Sequence, residues 1–148
     1  MSNEKRYYIA YGSNLNVAQM VRRCPEAKPI GTAVLENYIL YFKGSGSGYY
    51  LTIEQKSGGK VPVAIWEVTP EDEKALDRYE GYPHLYRRET AQVELNGKTV
   101  DAMVYIMNSK GVAPPSPFYY DVIRKGYEMN GLDTAVLEQA RQESLTKR

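Results

Sequence analysis

Two stretches rich in β-branched and aromatic residues, Tyr86–Leu95 and Lys98–Met107, flank the dipeptide Asn96-Gly97. Asn-Gly suits the tight hairpin turn that needs positive φ at both central residues, so the chain is committed to an antiparallel pair here. Upstream, Ile30–Leu35 and Tyr38–Lys43 read as strands around a Glu36-Asn37 turn. Tyr49–Glu54 and Val61–Val68 read as two more, around Ser57-Gly58-Gly59, and Arg6–Tyr11 as the first. Strands that follow one another with only short breaks pair antiparallel rather than through helical crossovers.

Helices punctuate this series. Asn14 or Asn16 can cap a helix over Val17–Cys24, in which Val17, Met20, Val21 and Cys24 fall on one apolar face before Pro25 stops it. Thr69-Pro70 starts a helix over Pro70–Glu80, with Glu71, Asp72 and Glu73 in its first turn and Gly81 as its stop. Ser116-Pro117 starts a third, which reaches about Asn130, with Gly126 as an interior weak point. Asp133 or Thr134 starts a last one. Six or seven strands with three or four helices make an α+β fold with a closed or nearly closed sheet. The 148 residues, 1–148, form a single domain without repeats.

Charge and composition exclude several functions. Lys and Arg total 19 against 18 Asp and Glu, with no basic run, which argues against nucleic acid and against an anionic membrane as partners. The first residues lack the apolar stretch of a signal peptide, and no run reaches transmembrane length, so a cytoplasmic location is expected. One cysteine, Cys24, permits no internal disulfide, and Cys24 and His84 are too few for a metal centre of thiolates and imidazoles. No metal and no cofactor are expected. The Gly-rich Gly44–Gly48 stretch reads as a loop, because it lacks the strand-then-helix order of a nucleotide site.

Three features suggest chemistry. There are 14 Tyr against 2 Phe, and buried tyrosines need partners for their hydroxyls, which suits a polar-lined cavity. The segment "YIAYGSNLN", Tyr8–Asn16, leaves a strand through Gly-Ser-Asn and enters a helix at once. Such a corner offers backbone N–H groups to a carboxylate or a developing oxyanion, or is merely a capped connection. Glu80 stands in the last turn of its helix, where the macrodipole disfavours an anion, among Tyr79, Tyr82 and Tyr86. A carboxylate desolvated there has a raised pKa and suits a general base, whereas an exposed one simply tolerates the position.

Together these segments resemble the γ-glutamylcyclotransferase family. "YIAYGSNLN" resembles its Tyr-Gly-Ser-Asn signature. "ALDRYEG" resembles the segment that carries its catalytic glutamate, here Glu80. "APPSPFYYDVIRKGYEMNGL" resembles its C-terminal Pro-Pro-Ser-Pro helix. The resemblance implies a small, mostly antiparallel β-barrel flanked by helices. It implies a metal-free, cofactor-free enzyme that converts γ-glutamyl amino acids to 5-oxoproline and a free amino acid. It carries substrate binding onto Tyr11, Gly12, Ser13, Asn14, Leu15, Tyr86, Tyr105 and Tyr119. Within the same chemistry, a γ-glutamylamine or a γ-glutamyl-protected metabolite is the alternative substrate. From other classes, a non-catalytic small-molecule binder and a protein-interaction module remain. The second would use Val136, Leu137 and Ala140 of the last helix, which could also serve a homodimer.

Overall fold

The computed structural model describes residues 5–45 and 48–146. Along the chain come β1 (Arg6–Ala10), a 3-10 turn (Ser13–Leu15), α1 (Val17–Arg23), β2 (Lys28–Ser45), β3 (Gly48–Val68) and α2 (Pro70–Glu80). Then follow β4 (Tyr86–Leu95), β5 (Lys98–Met107), the short β6 (Gly111–Val112), α3 (Pro117–Met129) and α4 (Ala135–Thr146). The strands form one sheet in the order β4-β5-β1-β3-β2-β6. Neighbours run antiparallel except β1 and β5, which are parallel. The sheet curls until β2 touches the edge strand β4, which makes a half-barrel with the helices around it.

The β4–β5 hairpin forms as its turn demands, with Asn96 at φ 53° and Gly97 at φ 80°. The four central strands expected from the sequence are instead two long ones. At Asn37 (φ 68°) the register shifts between Glu36 and Tyr38, and the Gly58 N–H donates to the Asn37 side chain at 3.0 Å. Turn-prone residues face each other across both strands, so each bends at a bulge and the ladder continues. Of the Gly44–Gly48 loop, Gly46 and Ser47 lie outside the described residues, and Ser45 pairs with Gly48.

Asn16, not Asn14, caps α1, accepting from the Gln19 N–H at 3.3 Å. The apolar face expected there is half realised. Met20 and Cys24 are buried, while Val17 and Val21 are exposed, because this short helix packs only one ridge inward, toward α2. Cys24 is a core residue whose thiol lies 3.6 Å from the Asp72 carbonyl oxygen, and burial pushes its pKa up to about 12.

The position of α2 matters most for the site. Thr69 and Asp72 close a reciprocal capping box, and Gly81 ends the helix at φ 66°. Glu73 accepts hydrogen bonds from Arg6 (2.5 and 2.9 Å) and Arg88 (2.7 Å), while Asp77 accepts from the Tyr105 hydroxyl at 2.6 Å. Three neighbouring strands, β4, β5 and β1, therefore hold α2 and set where Glu80, its last residue, comes to lie.

Gly126 is a point of close approach rather than a weakness. A Cβ there would lie 2.7 Å from the Asn16 nitrogen and 2.8 Å from Leu15 atoms. The Asn130 side chain adds a hydrogen bond to the Leu15 carbonyl at 2.8 Å. In this way α3 presses directly on the 3-10 turn. Leu137 and Ala140 of α4 are buried and Val136 packs on the core, so the stripe that could have served a partner faces its own domain.

Candidate active site

The 3-10 turn is closed by hydrogen bonds from the Leu15 N–H to Gly12 (2.9 Å) and from the Asn16 N–H to Ser13 (3.0 Å). As in any helix start, the N–H groups of Ser13 and Asn14 have no acceptor within the turn. The side chains of the turn are held too. Asn14 donates to the Tyr8 hydroxyl at 2.8 Å, and the Ser13 hydroxyl lies 2.7 Å from that of Tyr79.

Glu80 meets this turn in a niche of about 20 Å³. Tyr11, Gly12, Ser13 and Asn14 form one wall; Tyr8, Leu51, Tyr86 and Tyr119 form the rest. An outer cavity of about 240 Å³ shares Ser13, Glu80, Tyr86 and Tyr119 with the niche and adds Tyr50, Tyr79 and Leu85. The Glu80 residue keeps some surface toward this cavity, but its carboxylate lies among buried rings. Burial pushes its pKa up from 4.5 to about 7, and the positive charge of Arg23 opposes that rise. Such a carboxyl can both take and give a proton near neutral pH.

The tyrosine hydroxyls divide into props and free donors. Tyr11 donates to the Tyr105 carbonyl at 2.6 Å and Tyr86 to the Leu51 carbonyl at 2.9 Å. Tyr119 instead accepts from the Leu51 N–H at 3.1 Å, and Tyr8 accepts from Asn14, so each keeps its own proton for another acceptor. Burial first, and the nearby Glu80 carboxylate as well, hold Tyr8, Tyr11, Tyr86 and Tyr119 well above the usual phenol range. They are neutral donors at physiological pH.

Of the residues singled out from the sequence, Glu80, Tyr11, Gly12, Ser13, Asn14, Tyr86 and Tyr119 line the niche. Leu15 and Tyr105 do not. Leu15 is fully buried beneath the turn, and Tyr105 sits in the core, its ring edge-on to Tyr8 and its hydroxyl on Asp77. Tyr8, Leu51 and Arg23 were not foreseen. The excess of tyrosine over phenylalanine was the one available signal for Tyr8. Nothing in the local sequence marks the other two.

A separate surface cavity of about 590 Å³ lies at the bend of β2 and β3 beside β4. It is shallow, and its charged lining residues, Glu36 and Lys56, are exposed to solvent. His84 is exposed in the loop after α2, and its carbonyl accepts a hydrogen bond from the Asn108 side chain at 3.0 Å. Among the described residues no three His, Cys, Asp or Glu side chains are placed to hold a metal ion, and no helix is long and apolar enough to cross a membrane.

A curled α+β half-barrel with a buried carboxylate set over a turn of backbone donors defines a class of small-molecule site rather than a macromolecular interface. The family model described as "Gamma-glutamyl cyclotransferase, AIG2-like" matches residues 8–126. The "Gamma-glutamylcyclotransferase" of Homo sapiens is 32% identical over 138 residues, 87% of this chain and 73% of that protein. The protein of the same name from Mus musculus is 34% identical over 134 residues, 84% of this chain and 71% of that one. A solved structure named "Gamma-glutamyl cyclotransferase" superposes with a TM-score of 0.82 at 31% identity, covering 93% of this chain and 86% of the other. The chain belongs to the γ-glutamyl cyclotransferase, AIG2-like family of enzymes.

Proposed function

We propose that this protein cyclises the γ-glutamyl group of γ-glutamyl amino acids, releasing 5-oxoproline and the free amino acid. The observation that carries this reading is the meeting of Glu80, raised to about 7, with the donors of residues 12–14 in one niche. The reaction needs no protein nucleophile, because the substrate's own α-amine attacks its γ-carbonyl and closes a five-membered ring. Holding the glutamyl chain folded supplies much of the rate, since oriented intramolecular attack reaches effective molarities of about 10⁵ M or more. The ionised Glu80 takes a proton from the α-ammonium. The attacking nitrogen gives up its second proton to solvent, the oxyanion re-forms the carbonyl, and the C–N bond to the departing amine breaks as the same carboxyl returns its proton to that amine, which takes up one more from solvent and leaves as an ammonium. The N–H groups of Ser13 and Asn14 and the Tyr119 hydroxyl are donors suited to the substrate's α-carboxylate or to the oxygen that becomes anionic.

The test is Glu80→Gln, which keeps the shape and cannot accept the proton. With a γ-glutamyl dipeptide as substrate, 5-oxoproline formation is expected to fall about 10²- to 10⁴-fold. Formation at the parent rate would sink the scheme. Running γ-glutamylamines beside the dipeptides separates the two leaving-group classes by kcat/KM. Ligand binding without any 5-oxoproline from the parent protein would favour a binding domain instead.

A further inference from the structure

Arg23 ends α1 and reaches both halves of the candidate site. Its guanidinium lies over the Tyr79 ring, 3.4 Å from the ring centroid. It donates to the Asn14 side-chain oxygen and, at 3.3 Å, to Gln19. Each contact leads inward. Asn14 donates its side-chain N–H to the Tyr8 hydroxyl, and the Tyr79 hydroxyl is hydrogen-bonded to that of Ser13. Tyr79 also immediately precedes Glu80 in α2. One planar cation thus ties the donor turn to the helix end that carries the carboxylate, using its flat face for one and its fork of N–H groups for the other.

The charge of Arg23 has a second consequence. The groups that face Glu80 are hydroxyls and amides: Tyr8 from β1 and Tyr11 just after it, Ser13 and Asn14 from the turn, Tyr79 from its own helix, Tyr86 from β4 and Tyr119 from α3. Among the described residues, Arg23 is the charged side chain whose field reaches Glu80. Burial favours the protonated acid, which cannot start the reaction. A direct ion pair would lock the anion, which could not finish it. Arg23 stands between these extremes, near enough to oppose burial while bonded to Asn14 rather than to Glu80.

We propose that Arg23 is a positioning residue, which clamps Asn14 and Tyr79 together and sets its own positive charge beside the helix end that carries Glu80. The kinetic part rests on the cyclisation proposed above; the electrostatic part does not. The test compares Arg23→Met and Arg23→Lys with the parent, reading the Glu80 carboxyl titration by ¹³C NMR and kcat between pH 5 and 9. In Arg23→Met the titration midpoint moves to higher pH, and kcat stays about 10- to 100-fold low even at pH 9, where Glu80 is ionised, because the clamp is gone. In Arg23→Lys the charge returns the midpoint toward the parent's, but a point-like ammonium does not restore the fork, so kcat remains low. An unmoved midpoint in Arg23→Met, or a parental kcat at pH 9, overturns the proposal. If the parent itself makes no 5-oxoproline, the cyclisation reading fails, and the NMR titration still decides what Arg23 does to Glu80.

Discussion

Replacing Glu80 by glutamine should stabilise the protein above neutral pH while removing its chemistry. Burial lifts the carboxyl from 4.5 to about 7 in the folded chain, against the opposing charge of Arg23. A group whose folded pKa is raised contributes its stability in full below the unfolded value and loses it as pH rises through the folded value. Between about pH 4.5 and pH 7 the folded state holds a proton that the unfolded state has released, so stability falls with pH across that window. At about 1.4 kcal/mol per pH unit, the full displacement corresponds to about 3 kcal/mol, an upper figure because Glu80 keeps some exposed surface. Glutamine is neutral at every pH and does not suffer this loss. Urea unfolding of both proteins at pH 5, 6, 7 and 8 provides the assay. The stability of Glu80→Gln minus that of the parent should climb with pH by up to about 3 kcal/mol, with most of the rise complete by pH 8. A difference that stays flat from pH 5 to pH 8 refutes the argument, since it would mean that Glu80 titrates alike in the folded and unfolded chains. If the difference climbs and activity is lost together, the site holds a charge at the expense of stability, which is a common trade at catalytic centres.

Two glycine substitutions separate space in the site from packing around it. In Gly12→Ala the new methyl meets Leu51 and the Tyr119 hydroxyl at ordinary contact distances of 3.8 Å, so the thermal midpoint should barely move. The methyl enters the niche, however, and kcat/KM should fall about tenfold or more, the cost of roughly 1.4 kcal/mol in transition-state binding; unchanged kinetics would show that the niche is not where substrate sits. In Gly126→Ala the methyl collides with the backbone of Leu15 and Asn16, so unfolding experiments should show a loss of about 1–3 kcal/mol, and parental stability would mean that α3 does not press on the turn.

Much of the scaffold was legible because it is specified locally. The Thr69–Asp72 capping box, Pro70 and Gly81 bound α2 with signals that act within one turn of helix. Asn96-Gly97 and Ser116-Pro117 act over the same short range. Where local signals misled, a distant strand decided the outcome. Glu36-Asn37 and Ser57-Gly58-Gly59 each read as a turn, yet each lies opposite the other in a bulged ladder, so neither reverses the chain. Gly126 likewise reads as a weak point until the turn packed against it is known.

The candidate site divides along the same line. The sequence alone determined its chemical parts: a carboxylate at an unfavourable helix end, a donor turn after a strand, and a surplus of tyrosine hydroxyls. These are statements about residue type and immediate neighbours, and single-chain periodicity reaches them. Only the tertiary structure decided which parts meet. It placed Glu80 against residues 12–14, brought in Tyr8 and Leu51, and left Leu15 and Tyr105 behind the wall. It also set Arg23 against Tyr79 and Asn14, although 56 positions along the chain separate Arg23 from Tyr79. The reason is physical. Burial and the field of a neighbouring charge, which together set the working range of Glu80, depend on distances through space, and those distances exist only once the sheet has curled and α2 is held on its strands.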